Sequence, residues 1–203
     1  MIAVVDYSAG NMHSVARALN YLGVQHEPTA DANRIREASA VILPGVGSAG
    51  HAMQALSKAG LVETLQDLKR PFLGVCLGLQ LLFESTAEGD KKCLGVFEGR
   101  VSKFFSPGLK VPHVGWNQVS RTINSDGRLL KGIDEESYFY FVHSFFAGVT
   151  PGLTLASSCY GPIEFSSVVH SKNYWGVQFH PELSGQCGLR LLQNFVRIAE
   201  CWS

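Results

Sequence analysis

Two short stretches of the chain hold residue types suited to acyl transfer. The first is Gly74-Val75-Cys76-Leu77-Gly78, a cysteine with a glycine two positions away on either side. Small residues at those positions permit a sharp strand-to-helix turn that presents a nucleophile at a sheet edge. N–H groups at the start of the following helix favour thiolate over thiol and can bind an oxyanion. Taken alone, the pattern also fits a tight turn around a buried cysteine. The second stretch is Gly176-Val177-Gln178-Phe179-His180-Pro181-Glu182, which puts a histidine at the end of an apolar run where Pro181 stops regular strand pairing. Imidazole can take a proton from a thiol and return one to a departing amine near neutral pH. Glu182 can accept the other ring N–H and fix tautomer and orientation. A lone histidine after a strand is more often structural. His-Pro-Glu in a chain that also carries a cysteine elbow points instead to a triad of Cys76, His180 and Glu182.

These groups need a scaffold that brings them together. The first half of the chain alternates strand and helix patterns. The segments Ile2–Val5, 24–27, 40–43 and 72–75 read as strands, the apolar ones among them as buried parallel ones. Between them, Met12, Val15, Ala16, Leu19 and Leu22 recur at helical spacing, and further helices are expected over 32–37, 52–58, 62–69 and from Leu77 to about Glu84. Ser8–Asn11 reads as a turn. The second half is richer in strands, at 101–105, 116–120, 138–143, 153–157, 166–169 and 175–179. A closing helix has an apolar face of Leu189, Leu192, Phe195, Val196 and Ala199. The pattern predicts an α/β fold, a three-layer sandwich with a mixed, mostly parallel central sheet and flanking helices. Ser85–Lys92, polar and turn-rich, reads as a surface loop.

Composition bounds the rest. With 203 residues, 46% hydrophobic and 17% charged, the chain reads as one well-packed domain over 1–203. Lys plus Arg and Asp plus Glu are equal at 17 each, so no net field draws it to nucleic acid or an anionic membrane. No apolar run approaches the roughly 20 residues of a bilayer span, and Met1–Asp6 lacks the basic region of a signal peptide; the default expectation is cytoplasmic. The five cysteines include no CxxC pair, so no metal and no cofactor are expected. Apart from Cys76, each reads as a free, small buried hydrophobe.

With these residues in view, Gly74–Gln80 together with Gln178–Glu182 resembles the class I, triad-type glutamine amidotransferases. Val5–Asn11, Pro112–Asn117 and Tyr138–Ser144 resemble, within that family, the glutaminase subunits of imidazole glycerol phosphate synthases. The resemblance covers essentially the whole chain. It implies that L-glutamine is hydrolysed through a γ-glutamyl thioester and that ammonia passes to a (βα)8-barrel cyclase subunit in a heterodimer. It further implies an oxyanion hole from the Gly45-Val46-Gly47 segment and the N–H of Leu77. Pro44 and the glycines suit such a segment, although a plain strand-ending turn would look alike. Gln80 and Glu88 match residues that hold the amino-acid end of glutamine, Glu88 pairing with the α-ammonium; otherwise Glu88 is solvated charge. Backbone around Ser144 and Phe145 is expected to meet the α-carboxylate. Asn11, His113, Trp116 and Asn117 match the partner-facing surface. Trp116 suits an interface anchor, while a buried core tryptophan is the commoner reading on residue type alone. The family behaviour implies a resting oxyanion hole that is completed when the partner holds its nucleotide.

One position departs from the pattern. After His-Pro-Glu the family usually carries a basic residue, and this chain has Leu183, so the contact there is expected to be weaker or more apolar. Three other readings stay open. The first is a glutaminase of the same design that serves sugar amidation in surface-polysaccharide synthesis. The second is an inactive triad-like module. The third is a cysteine peptidase, which would leave Gln80, Glu88 and the 112–117 segment without purpose.

Overall fold

The computed structural model describes residues 1–7, 11–122 and 127–202. The turn expected at Ser8–Asn11 falls outside them except for Asn11. The chain opens with strand–helix units: β1 (Ile2–Val5), α1 (Met12–Tyr21), β2 (His26–Thr29), α2 (Ala32–Glu37), β3 (Ala40–Leu43), α3 (Ala49–Lys58), α4 (Val62–Gln66) and β4 (Phe72–Val75). A one-turn helix, α5 (Leu77–Gln80), comes next, then β5 (Phe83–Thr86), β6 (Lys91–Lys92), β7 (Phe97–Lys103), β8 (His113–Gln118) and β9 (Ser120–Arg121). The remaining strands are β10 (Tyr138–His143), β11 (Phe145–Ala147), β12 (Thr154–Tyr160), β13 (Ile163–Ser171) and β14 (Tyr174–Val177). A 3-10 turn at Pro181–Leu183 leads into α6 (Gly185–Glu200).

Eight strands form the main sheet in the order β2-β1-β3-β4-β14-β13-β12-β9. The pairings from β2 to β14 are parallel, and those beyond β14 are antiparallel. Alternation of side chains along the strands supplies two separate cores. Ile2 and Val4 of β1 pack with Val15 and Leu19 of α1 and Leu191, Leu192 and Phe195 of α6. Ala3 and Val5 face the other way, toward Ile35 of α2, Leu56 of α3 and Leu65 of α4. Helices on both faces of one sheet make the three expected layers. β1, β3, β4 and β14 are buried along their whole length, which is why they read as uninterrupted apolar runs. Two smaller sheets, β10-β8 and β11-β7-β5-β6, sit beside the main one. No helix among the described residues is long and apolar enough to cross a membrane.

Three expectations need correction. The helix from Leu77 does not reach Glu84. It ends at Gln80, because Leu81, Leu82 and Phe83 are buried all round and Phe83 turns out to pair with Phe97. An apolar run with no polar face satisfies a strand as well as a helix, and the second sheet decides it. Ser85–Lys92 is not a plain loop, since its ends belong to β5 and β6, which pair as Ser85–Lys92 and Thr86–Lys91 with Glu88 in the turn between. The four cysteines expected to be buried hydrophobes are not: Cys159 and Cys201 are exposed, and Cys93 and Cys187 are partly so.

Candidate active site

Strand order and register bring the predicted chemistry to one edge. β3, β4 and β14 are parallel neighbours, paired Leu43–Gly74 and Val75–Val177. Pro44–Gly47, Cys76 and Gln178–His180 therefore leave the sheet side by side at its C-terminal edge, where open parallel sheets place their ligand sites. The turn after β4 is tight. Cys76 has φ 54° and ψ −105°, a left-handed backbone that a residue with a side chain adopts only when its surroundings force it. The flanking glycines are required for space. A Cβ on Gly78 would lie 2.0 Å from the Leu43 carbonyl oxygen, and one on Gly74 would lie 2.5 Å from the carbonyl oxygen of Gly78. Gly45 is equally crowded, since its Cβ would come within 2.7 Å of Leu77 Cβ. The segment after β3 is thus packed directly on the first residues of α5. Tyr7, buried, adds a tie by donating its hydroxyl to the Pro44 carbonyl at 3.0 Å. Burial, and then Cys76, push the Tyr7 pKa upward, so the hydroxyl stays a donor.

His180 and Glu182 form a buried pair. His180 Nδ1 lies 2.8 Å from Glu182 Oε1, and the two side chains are only 2% and 1% exposed. Asn11 Nδ2 donates to the same carboxylate oxygen at 3.3 Å, so the residue expected at the partner surface also touches the triad. The His180 backbone is fixed from both sides: its N–H donates to the Tyr140 carbonyl, and its carbonyl accepts from Ser184 Oγ at 2.6 Å. Burial by itself would lower the His180 pKa. Cys76 and Glu182 outweigh it and raise the pKa to about 10, while Nε2 itself is buried with no hydrogen-bond partner among the described residues.

A cavity of about 300 Å³ opens at Cys76, and Val46, Gly47, Leu77, Gln80, Glu88, Ser144, Phe145 and His180 are among its lining residues. That volume is at the small end of the range for ligand pockets. Glu88 is not loose charge: its Oε2 accepts from the Ala49 N–H at 2.7 Å, at the start of α3. Gln80 is buried and spends both amide hydrogens inside the protein, on the Phe145 carbonyl at 2.9 Å and on Gln178 Oε1 at 3.2 Å. Its carbonyl oxygen is the atom left for a ligand.

The residues expected at a partner surface divide. β8 and β10 pair Val114–Val142 and Trp116–Tyr140. Val114, Trp116, Tyr138 and Val142 are exposed, Trp116 by 56%, and so is Leu183, next in sequence to Glu182. Trp116 is therefore not a core residue. His113 differs from its exposed strand neighbours. It is buried, stacked between Phe141 and Tyr160, and its ring faces inward toward His143 rather than outward. The period of two along β8 sends His113 to the opposite face from Val114 and Trp116. Asn117 is half-buried and donates to the Cys159 carbonyl. Sequence reasoning assigned no role to Tyr7, His143 or Gln178. Gln178 lies inside a recognised motif, but its partners are distant in sequence and only the folded register reveals them.

Residues 3–199 match the family model for class-I glutamine amidotransferase. Among curated relatives, the imidazole glycerol phosphate synthase subunit HisH of Nitrosomonas europaea is 43% identical, with 97% of each chain covered. The subunit of the same name from Caldanaerobacter subterraneus subsp. tengcongensis is 44% identical over 99% of this chain and all of its own. Among solved structures, a glutamine amidotransferase superposes with a TM-score of 0.76 at 18% identity, covering 98% of this chain and 100% of that one. A putative GMP synthase component from Thermoplasma acidophilum gives 0.75 at 22%, covering 98% and 93%. On this match the chain belongs to the class-I glutamine amidotransferases and, within them, to the HisH subunits of imidazole glycerol phosphate synthase.

Proposed function

We propose that the chain hydrolyses L-glutamine to glutamate and ammonia and delivers the ammonia to a cyclase subunit that makes imidazole glycerol phosphate in histidine biosynthesis. The observation that carries the reading is the convergence of Cys76 with the buried His180–Glu182 pair at one cavity. In this reading the Cys76 thiolate attacks the glutamine carboxamide carbon. The resulting oxyanion is held by the Leu77 N–H and one from Gly45–Gly47. The His180 imidazolium gives its proton to the departing ammonia, leaving a γ-glutamyl thioester on Cys76. His180 then takes a proton from water as it attacks the thioester, and glutamate leaves. Glu182 holds the ring and stabilises its cationic form. Glu88 and the Gln80 carbonyl oxygen receive the substrate's α-ammonium, and backbone N–H groups around Ser144 and Phe145 receive its carboxylate.

The partner follows from the chemistry of the product. Ammonia in neutral water is mostly protonated and then is no nucleophile, so an acceptor enzyme gains from an enclosed path. The exposed face of Val114, Trp116, Tyr138 and Val142 is of the kind that a (βα)8-barrel cyclase subunit would cover in a heterodimer, with Trp116 as its anchor. Leu183, also exposed, adds an apolar contact. His113 and Asn117 support this surface from beneath. The experiment is a glutaminase assay of the unmutated chain and of Cys76→Ala, each with and without the cyclase and its nucleotide. Turnover that rises with the loaded partner and vanishes in the variant supports the reading, and turnover retained in Cys76→Ala overturns it.

A further inference from the structure

The Cys76 sulfur carries a contact that the triad does not use. Gln178, fully buried and two residues before His180, directs its side-chain Nε2 at Cys76 Sγ, 3.7 Å away. The register that pairs Val75 with Val177 sets these two residues side by side, each one position beyond its strand. An isolated amide could turn either end to a sulfur. Here the direction is dictated by the groups behind it.

The Phe145 carbonyl can only accept. Gln80 must therefore turn its amino group toward it, at 2.9 Å, and the second hydrogen of that group goes to Gln178 Oε1 at 3.2 Å. With its oxygen so occupied, Gln178 has its own amino group left for the sulfur. The same carbonyl accepts from His143 Nδ1 at 2.8 Å. Burial holds His143 neutral, pushing its pKa down to about 3, so its Nε2 is bare and accepts from His113 Nδ1 at 3.0 Å. One acceptor-only carbonyl thus orders a chain of buried polar groups in both directions, and Gln178 is its end at the sulfur. A further neighbour of the sulfur acts against ionisation: the Val142 carbonyl, 3.9 Å away, can accept from a thiol but cannot pair with a thiolate. α5 has only four residues and offers a small dipole, so an N–H aimed at the sulfur matters more than after a long helix.

We propose that Gln178 is a further catalytic residue, donating an amide N–H to the Cys76 thiolate from an orientation fixed by Gln80, Phe145, His143 and His113. The proposal rests on Cys76 being the nucleophile. Gln178 does not line the cavity; its side chain reaches the substrate pocket only through the hydrogen bond it accepts from Gln80.

The test uses Gln178→Met, close in shape and without a donor, in complex with the cyclase. Iodoacetamide labelling of the Cys76 peptide, followed by mass spectrometry against pH, is expected to move its midpoint upward by about one pH unit. Losing a hydrogen bond to a charged acceptor is expected to lower kcat about 10- to 100-fold. A folded variant whose labelling midpoint does not move overturns the proposal. Should the variant fail to fold, the side-chain amide resonances of Gln178 in the unmutated protein decide the matter. They are expected to shift with the same midpoint as Cys76 labelling, and resonances that stay fixed overturn the proposal. If glutamine hydrolysis survives complete labelling of Cys76, the nucleophile assignment fails instead, which separates the two outcomes.

Discussion

Replacing Glu182 by glutamine isolates what the carboxylate charge contributes. Oε1 alone accepts from both His180 Nδ1 and Asn11 Nδ2, while Oε2 is buried without a partner among the described residues. A glutamine can keep its oxygen at the Oε1 position and put its amino group where Oε2 stood. The tautomer of His180 then survives and only the ionic character is lost. A hydrogen bond to a charged acceptor contributes about 1.5–3 kcal/mol against about 0.5–1.5 for a neutral one. The difference, about 1–2 kcal/mol, predicts a kcat of Glu182→Gln about 5- to 30-fold below the unmutated value. Glu182→Ala removes orientation as well and is expected to lose about 1000-fold. A second signature follows from acid–base balance. His180 must be cationic to release ammonia, so kcat falls as pH rises through its pKa of about 10. Without the carboxylate, that alkaline limb moves to lower pH by about one unit. The assay is glutaminase turnover of the complex against pH, with KM expected to hold because Glu182 does not line the cavity. Equal losses in the Gln and Ala variants, or an alkaline limb that stays in place, would refute this account of the pair.

Other expectations follow from the same geometry. Burial lowers the pKa of His113 to about 4 from an ordinary 6.5, so between those values the unfolded chain binds a proton that the folded chain does not. Stability is full above that window and falls as pH drops through it, by up to about 3 kcal/mol for this group; denaturant titrations at neutral and acid pH should show a shallower loss in His113→Phe. Gly78→Ala drives a Cβ to within 2.0 Å of the Leu43 carbonyl and should cost about 3 kcal/mol or more in a melting experiment, whereas Gly148→Ala, with open space around it, should cost little. Trp116→Ala should weaken association with the cyclase by about 2 kcal/mol, near 30-fold, in a calorimetric titration while leaving the melting temperature almost unchanged.

Much of the scaffold was legible because its strands are buried on both faces. β1, β3 and β4 appear in the sequence with the bounds they have in the fold, since a run such as Ala40–Leu43 has no polar position to blur its ends. That Cys76 and His180 should meet in one pocket followed from motif chemistry, and the register of β4 and β14 brings both to one cavity. What escaped depended on partners remote in sequence. Phe83 joins a strand because Phe97 is opposite it, and nothing local says so. His113 sits in a segment resembling a partner surface, yet its side chain points to the core, because a strand has two faces and a motif does not state which one a residue takes. Gln178 sits in the most readable motif of the chain, and its bond to the sulfur is visible only once Gln80 and Phe145 are placed behind it.

Acylation of the Cys76 sulfur is the step on which the proposed chemistry depends. Acid quenching of the complex during turnover, followed by mass spectrometry of its peptides, tests this directly. A single γ-glutamyl group on the Cys76 peptide, absent in Cys76→Ser, is the predicted result. Steady release of glutamate with that peptide unmodified, or with the group on another side chain, would contradict it.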